Sequence, residues 1–191
     1  MSKNPVFLVV GGRRGIGEGF VSQYEKQYLS KGDPVHIVAT STQYPRPDDV
    51  DEPILDAEGP QIHQIRLDIN DPDSCVSTAA WINQHFGRLD GLVSCVGMLH
   101  TGGAGSGTDG SSEVRMPERT YSEMTVPFLQ ENMLLNTTSA VLLAKAFVPL
   151  LSNGDKDQDP SYFACLSARI GSISDNRCDS PPPFSTWLTR G

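Results

Sequence analysis

Three features of this 191-residue sequence predict an α/β fold with a doubly wound parallel sheet. Short apolar runs recur along the chain, and runs of this kind are typical of strands that are buried on both faces. Segments with the spacing of helices alternate with these runs. A glycine-rich turn links the first apolar run to the first helical segment. Such alternation predicts parallel strands that are joined by right-handed crossovers.

The strands are predicted from runs rich in Val, Ile, Leu and Phe that are bounded by turn residues. In chain order these runs are PVFLVV, PVHIVAT, QIHQIRLDI, LDGLVSCVG and SYFACLSA. Their lengths favour strands over helices, which need longer segments. We therefore expect a sheet of about five strands.

The first helix is predicted directly after the glycine turn. Its apolar and aromatic residues recur at helical spacing. They are Ile16, Phe20, Val21, Tyr24 and Tyr28.

Two further helices are predicted. One begins at Asp71 and Pro72, a favourable N-cap and first-turn pair, and ends near His85. Its expected apolar face consists of Val76, Ala80 and Trp81. The other is PFLQENMLLNTTSAVLLAKAFVPLL, which is apolar on most sides and therefore needs cover on several faces.

Three segments are predicted to be irregular. The crossover STQYPRPDDVDEPILDAEGP contains four prolines, so it has room for one helical turn at most. Residues 98–125 are rich in Gly and Ser, which predicts a long mobile loop near the site. Three consecutive prolines follow Cys178, and they suit neither a helix nor a strand. We expect a domain over residues 1–177 and an irregular tail over 178–191.

The charge and the cysteines exclude several classes of function. A formal net charge of −8 argues against binding to nucleic acid or to an anionic membrane, so the expected partner is a small molecule or another protein. The cysteines are far apart and form no C-x-x-C pair, which predicts reduced thiols and no metal site. The longest apolar stretch contains Lys145 and Pro149 and is shorter than a membrane span. A soluble, cytoplasmic protein is expected.

The glycine turn carries the first chemical signal. Gly11, Gly15 and Gly17 form a G-x-x-x-G-x-G pattern between a strand and a helix. Glycine allows a tight turn and lets the backbone approach a pyrophosphate, while the helix N-terminus supplies N–H groups for the anion. The Lys-Ser/Thr pair of a P-loop is missing. The pattern predicts a dinucleotide site; a glycine turn without a ligand is the alternative.

The end of the second strand bears on the choice of dinucleotide. The run VATST, which contains Thr40, lacks the acidic residue that would bind a free ribose 2′-hydroxyl. Arg13 and Arg14 lie in the glycine turn, where they suit a 2′-phosphate. These residues favour NADP(H) over NAD(H), and the missing acid also argues against S-adenosylmethionine. The alternative is that both arginines are merely solvated.

With these residues in place, the chain resembles the short-chain dehydrogenase/reductase family, especially its C-factor-like and carbonyl-reductase-like members. VVGGRRGIG is similar to the family's T-G-x-x-x-G-I-G turn, with Val10 at the threonine position, and LDI is similar to its adenine-contacting segment. SCVG stands where the family has N-N-A-G, and LLNTTSAVLLAKAFVPLL resembles its central helix. LSARIGSISDN resembles the segment that carries its catalytic serine.

The resemblance implies a Rossmann-type fold and assigns roles to individual residues. Asp68 would lie beside the adenine, Asn136 falls on the catalytic asparagine, and Ser167 is nearest to the catalytic serine. The expected cofactor-binding residues are Gly11, Arg13, Arg14, Gly15, Ile16, Gly17, Thr40, Asp68, Ile69 and Gly97. Asp68 could instead cap the turn before Asp71, and Asn136 could have only a structural role in its helix. Ser172 and Ser174 are alternatives to Ser167.

The resemblance also exposes a missing motif. In the family a Tyr-x-x-x-Lys pair follows the serine; the Tyr donates a proton to the carbonyl oxygen, and the Lys lowers the pKa of the Tyr. No tyrosine in this sequence has Lys four residues later, and an unassisted phenol with a pKa of about 10 is a poor acid. At least two further strands would be expected beyond residue 177. We therefore interpret the chain as truncated before this motif.

Three functional hypotheses follow. By lineage the chain is an NADP(H)-dependent oxidoreductase acting on a carbonyl or alcohol substrate, with very low turnover in this form. The second hypothesis is a catalytically empty remnant that binds a nucleotide or a partner, with homo-oligomerisation through the central helix at 127–151. The third is a chain that does not fold stably.

Overall fold

The computed structural model of the protein describes residues 4–98, 125–151, 153 and 160–168. The strands are β1 (Val6–Val10), β2 (Val35–Ser41), β3 (Pro60–Arg66), β4 (Gly91–Ser94) and β5 (Tyr162–Cys165). The helices are α1 (Gly15–Lys31), α2 (Pro72–His85), α3 (Val126–Met133) and α4 (Ser139–Leu151), with a π-helical segment, Leu134–Thr138, before α4.

The strands form one parallel sheet in the order β3-β2-β1-β4-β5. Leu8 in the central strand β1 lies opposite Val38 of β2 and Leu92 of β4, and all three side chains are fully buried. The chain moves outward from β1 to β2 and β3 on one side, and to β4 and β5 on the other. This order confirms the predicted doubly wound α/β fold and places its switch point between β1 and β4.

Helix α1 is confirmed, and most of the apolar residues that recur at helical spacing pack on the sheet. Val21 is buried, and Tyr24 stacks on Phe7 of β1 with ring centroids 4.7 Å apart. Phe20 and Tyr28 also pack against the core under this helix. Ile16 does not contribute to this packing, since 66% of its surface is exposed. Ile16 lies in the first turn of α1, at the edge of the sheet where the strands end.

Helix α2 begins as predicted. The Asp71 carboxylate accepts a hydrogen bond from the backbone N–H of Asp73 at 3.0 Å, which satisfies a first-turn donor. The helix ends at His85, also as predicted.

The predicted apolar face of α2 is wrong in part. Trp81 is buried, but Val76 is 62% exposed and Ala80 is exposed. The inward positions are Cys75, Thr78, Trp81 and Ile82. Thr78 faces inward because its hydroxyl donates to the Arg66 carbonyl of β3 at 3.2 Å, which satisfies a buried polar group.

The central helical stretch runs from Val126 to Leu151. Leu143 and Phe147 are fully buried, whereas Val141 is 65% exposed and Val148 is 43% exposed. The stretch is longer than the apolar run considered in the sequence, and by length and composition alone it could cross a bilayer. Core helices of soluble proteins meet the same criterion.

The crossover between β2 and β3 is irregular, as the sequence predicts. The predicted irregular crossover contains one 3₁₀ turn, Pro47–Asp49. Of the loop predicted at 98–125, residues 99–124 lie outside the described residues, and so does the tail predicted at 178–191, so the boundary at residue 177 stays a prediction.

Spatial proximity divides the chain into two compact units. The first comprises residues 1–96 and 140–166, and it contains strands β1 to β5, helices α1 and α2, and α4 except for its first residue. The second comprises residues 97–139 and 167–191, and its described part contains α3 and the π-helical segment.

A histidine pair links β2 to β3. Nδ1 of His36 lies 3.2 Å from Nε2 of His63, and His36 is only 1% exposed. The rings of Trp81 and Phe86 lie 5.9 and 5.5 Å from that of His63. Burial lowers the pKa of both histidines; the neighbouring His36 and His85 lower that of His63 further, to about 4.

We expect the free energy of unfolding to fall as the pH drops below about 6.5, the usual pKa of histidine in an unfolded chain. Between that value and the folded pKa of His63, about 4, the unfolded state binds more protons than the folded state. The stability is complete above the upper value and is lost towards the lower one, by at most about 1.4 kcal/mol per pH unit for this residue.

Urea unfolding between about pH 8 and pH 4.5 measures this dependence. The variant His63→Phe keeps a ring beside Trp81 and Phe86 but cannot titrate. We expect it to be less stable than the wild type at neutral pH, because His36 loses its partner, and to show a flatter pH dependence. If this variant lost stability with falling pH as steeply as the wild type, His63 would not be the source of the pH dependence.

Candidate functional site

The glycine turn lies at the C-terminal end of β1, at the switch point of the sheet. Gly11 and Gly15 have φ values of 80° and 60°, in the left-handed region that residues with a side chain rarely adopt. The turn therefore needs glycine at both positions to reverse the chain between β1 and α1.

Gly17 is required for a different reason. A Cβ atom at this position would lie 2.1 Å from the carbonyl oxygen of Gly11, so no side chain fits there. Helix α1 thus begins in direct backbone contact with the end of the strand that precedes it.

Hydrogen bonds hold the turn between the neighbouring strands. The N–H of Gly12 donates to the carbonyl of Thr40, at the end of β2, at 2.9 Å. The N–H of Cys95, just after β4, donates to the Val10 carbonyl at the same distance. Backbone hydrogen bonds therefore connect the C-terminal ends of β1, β2 and β4 at one edge of the sheet.

The N-terminus of α1 fits a pyrophosphate. Arg14 occupies the N-cap position in an extended conformation, and no side chain caps the helix within the part of the chain that the structure describes. A Cβ at Gly15 would meet no atom within 4 Å, so there is space beside the first turn. Uncapped N–H groups and the positive end of the helix dipole favour an anion at this place. Arg13 and Arg14 are both exposed next to it.

The predicted residue on β2 and the two that follow β3 occupy different environments. The side chain of Thr40 is fully buried, so its carbonyl is the group that faces the turn. Ile69 is 5% exposed. Asp68 accepts the N–H of Asn70 through Oδ1 at 3.0 Å, and its own N–H donates to Ser74 at 3.0 Å. Asp68 thus braces the turn before α2, the alternative role considered in the sequence, and its contact with adenine stays a prediction.

Tyr44 is a neighbour of the turn that the sequence did not indicate. It packs against the core beneath α1. Burial raises the pKa of its hydroxyl, and the positive charge of Arg13 acts in the opposite direction. The charge of Arg13 therefore acts on the Tyr44 hydroxyl. The spacing of the two residues in the sequence could not have predicted this interaction.

The second compact unit contains Asn136, which lies in the π-helical segment. Its Oδ1 accepts the N–H of Met98 at 2.7 Å, and its Nδ2 donates to the carbonyl of Met98 at 2.8 Å. Nδ2 also donates to Oδ1 of Asn132 at 3.2 Å. The Asn136 amide is thereby fixed to the backbone next to Gly97, another predicted cofactor-binding residue.

Asn132 was not predicted as part of the site. It is fully buried, and its Nδ2 donates to the Phe128 carbonyl at 3.0 Å. The sequence could have indicated Asn132 through its position four residues before Asn136, because residues four apart on a helix are neighbours on its surface. Ser167 lies just after β5 and is exposed, while Ser172 and Ser174 lie outside the described residues.

A sequence model of the family described as short chain dehydrogenase matches residues 5–158. The chain belongs to the short-chain dehydrogenase family. This membership confirms the resemblance found in the sequence. The family binds NAD(P)(H) and acts on small-molecule substrates, so the chain is related to oxidoreductases of this type.

Curated relatives of this short-chain dehydrogenase come from fungi. It is 27% identical to the short chain dehydrogenase tazN of Aspergillus terreus over 150 residues, which cover 78% of this chain and 28% of tazN. It is 26% identical to the short chain dehydrogenase gsfK of Penicillium aethiopicum over 168 residues, which cover 87% of this chain and 58% of gsfK. The chain thus spans less than two thirds of the length of these relatives.

Solved structures share the fold. The protein described as carbonyl reductase Sniffer of Caenorhabditis elegans has a TM-score of 0.70 at 22% identity, covering 98% of this chain and 74% of Sniffer. The aldohexose dehydrogenase of Thermoplasma acidophilum has a TM-score of 0.64 at 15% identity, covering 98% and 56%. The NADH-dependent reductase A1-R′, solved with NAD, has a TM-score of 0.69 at 16% identity, covering 98% and 67%. These likenesses confirm the Rossmann-type fold.

Replacement of Gly17 by alanine tests the contact that shapes the turn. We expect Gly17→Ala to lower the free energy of unfolding by about 1–3 kcal/mol, because the new Cβ forces α1 away from Gly11. Dinucleotide binding should be lost at the same time. Thermal unfolding and calorimetric titration with NADPH measure the two effects.

Gly19→Ala is the matched control, since a Cβ at this position of the same helix meets no atom within 4 Å. It should stabilise the protein by roughly 0.5–1 kcal/mol through helix propensity and leave binding unchanged. Similar behaviour of the two variants would show that close packing at Gly17 is unimportant.

Proposed function

We propose that this short-chain dehydrogenase binds NADP(H) and serves hydride transfer between the cofactor and a carbonyl or alcohol substrate. The observation that carries the proposal is the glycine turn at the switch point, where Gly17 contacts Gly11 and the uncapped end of α1 faces open space. A dinucleotide pyrophosphate suits this combination of N–H groups and helix dipole.

The preference for NADP(H) rests on three groups of this chain. Arg13 and Arg14 are exposed at the turn and can form charge-assisted bonds with a 2′-phosphate. The end of β2 offers Ser41 instead of the acidic residue that would accept a free 2′-hydroxyl, and its hydroxyl accepts the N–H of Gln43 at 3.2 Å. A structural neighbour was solved with NAD, so the argument for NADP(H) comes from these residues alone.

In the proposed reaction the bound cofactor supplies or accepts the hydride. Ser167 would hydrogen-bond the substrate carbonyl, and Asn136 would hold the backbone at Met98 beside Gly97. No residue is assigned to proton donation, because no tyrosine of this sequence has Lys four residues later. We therefore expect very low turnover from this chain.

The same missing pair favours a second candidate function, a dinucleotide-binding or partner-binding protein without catalysis. Self-association through residues 127–151 would suit this role. Exposed apolar side chains on that stretch support the idea, namely those of Met133, Val141 and Val148. We also propose a soluble, cytoplasmic protein that binds neither nucleic acid nor membranes, in keeping with its net charge of −8.

Calorimetric titration with NADPH and NADH tests the cofactor assignment. We expect tighter binding of NADPH. Arg13→Ala should weaken NADPH binding roughly tenfold to a hundredfold, since a hydrogen bond to a charged group contributes about 1.5–3 kcal/mol, and should change NADH binding little.

Lys31→Ala is the control for net charge, because Lys31 is an exposed cation at the opposite end of α1. It should leave both affinities unchanged. If Arg13→Ala weakened NADH as strongly as NADPH, the assignment of Arg13 to the 2′-phosphate would be wrong. Absence of binding of either dinucleotide by folded protein would refute the proposed function itself.

Steady-state oxidation of NADPH with a panel of aldehydes and ketones separates the two candidate functions. Turnover that is slow but measurable, and abolished in Asn136→Ala, would support the oxidoreductase. A rise in the melting temperature on addition of NADPH without turnover would support the second candidate, because a ligand that binds only the folded state stabilises it.

A further inference from the structure

We propose that Asn132 is a positioning residue, which holds the side-chain amide of Asn136 in the orientation that clamps the backbone of Met98. The hydrogen bonds that define this clamp are independent of the function proposed above. Only the purpose of the clamp, support of the cofactor-binding backbone at Gly97, rests on that function.

The Asn136 amide has one orientation that satisfies its neighbours. An asparagine side chain offers two N–H donors on one side and an accepting oxygen on the other. The oxygen receives the N–H of Met98, and the amide nitrogen donates to the Met98 carbonyl. Rotation of the amide by half a turn would set N–H against N–H and oxygen against oxygen.

Asn132 accepts the remaining N–H of this amide through Oδ1 at 3.2 Å. Its own orientation is fixed in turn, because its Nδ2 donates to the Phe128 carbonyl at 3.0 Å. Three groups one helical turn apart therefore form a chain of hydrogen bonds. The chain passes from Phe128 through Asn132 to Asn136, and it ends at Met98.

Packing alone gives no reason for an asparagine at position 132. The residue is fully buried in a helix, where asparagine has low intrinsic propensity. A buried carboxamide is also costly unless it is hydrogen-bonded. An apolar residue would fill the position without either cost, so the bond to Asn136 is the interaction that the asparagine specifically provides.

The local helix geometry places the two asparagines at the start of the irregular turn. Asn132 lies in the last turn of α3, and Asn136 lies in the π-helical segment that follows. A π-helical turn interrupts the regular pattern of backbone hydrogen bonds and is frequent at functional sites. A side-chain bond across its first residues fixes the direction in which Asn136 projects.

Hydrogen exchange of the Met98 backbone amide, followed by NMR on the full chain, tests the proposal. We expect Asn132→Leu to accelerate this exchange by roughly tenfold or more, because the Asn136 amide that holds Met98 loses its support. Asn132→Asp keeps an oxygen that can accept from Asn136, so it should retain more protection than Asn132→Leu.

Ser139→Ala is the matched control. The Ser139 hydroxyl donates to the Leu135 carbonyl, and the side chain is buried, but it has no bond to Asn136. This variant should leave the exchange of Met98 unchanged. If Asn132→Leu folds and its Met98 amide is protected as in Ser139→Ala, the proposal is overturned.

A measurement on the unmodified protein covers the case in which Asn132→Leu does not fold. Both Nδ2 protons of Asn136 should exchange slowly with solvent, because both have acceptors. Free exchange of these protons in the folded wild type would overturn the clamp.

Titration with NADPH on the same samples separates the clamp from the proposed function. We expect Asn132→Leu and Asn136→Ala to weaken NADPH binding by similar factors, and the double variant to show no further loss, because both act through one set of bonds. Failure of the wild type to bind NADPH would refute the proposed function, while the exchange of Met98 would still decide whether Asn132 positions Asn136.

Discussion

The contact between Gly17 and the carbonyl oxygen of Gly11 is the constraint on which the candidate site depends. A helix can begin this close to the end of a strand only where no Cβ intervenes. At this distance Val21 and Tyr24 reach the core, where Tyr24 stacks on Phe7. The same contact directs the first N–H groups of α1 towards the edge of the sheet, where a dinucleotide could bind.

Burial and backbone hydrogen bonds hold the backbone at this edge. β1 is buried along its whole length, and its neighbours hold the turn through the carbonyl of Thr40 and the N–H of Cys95. The exposed arginines follow this fixed backbone and are free to respond to a ligand. Such a division would suit the proposed site, in which the turn would supply general affinity for a dinucleotide and the arginines would distinguish NADP(H) from NAD(H).

The described part of the second compact unit contains a short chain of side-chain hydrogen bonds. Asn132 and Asn136 occupy a helical stretch that is otherwise strongly apolar, and both side chains have hydrogen-bond partners. A satisfied buried network of this kind specifies one arrangement, because any other leaves polar groups without partners. The family membership establishes which proteins this chain is related to, whereas this network concerns how one segment of this chain is held.

The sequence by itself determined the five strands, the glycine turn and the start of α2, because these features depend on residues that are adjacent in the chain. It did not determine which helix faces meet the sheet. Val76 is exposed while the polar Thr78 is buried, since the carbonyl of Arg66 in strand β3 accepts a hydrogen bond from Thr78. The pairs His36 with His63 and Asn136 with Met98 were likewise decided by the tertiary structure, because a hydrogen bond between distant residues leaves no periodic signal in the sequence.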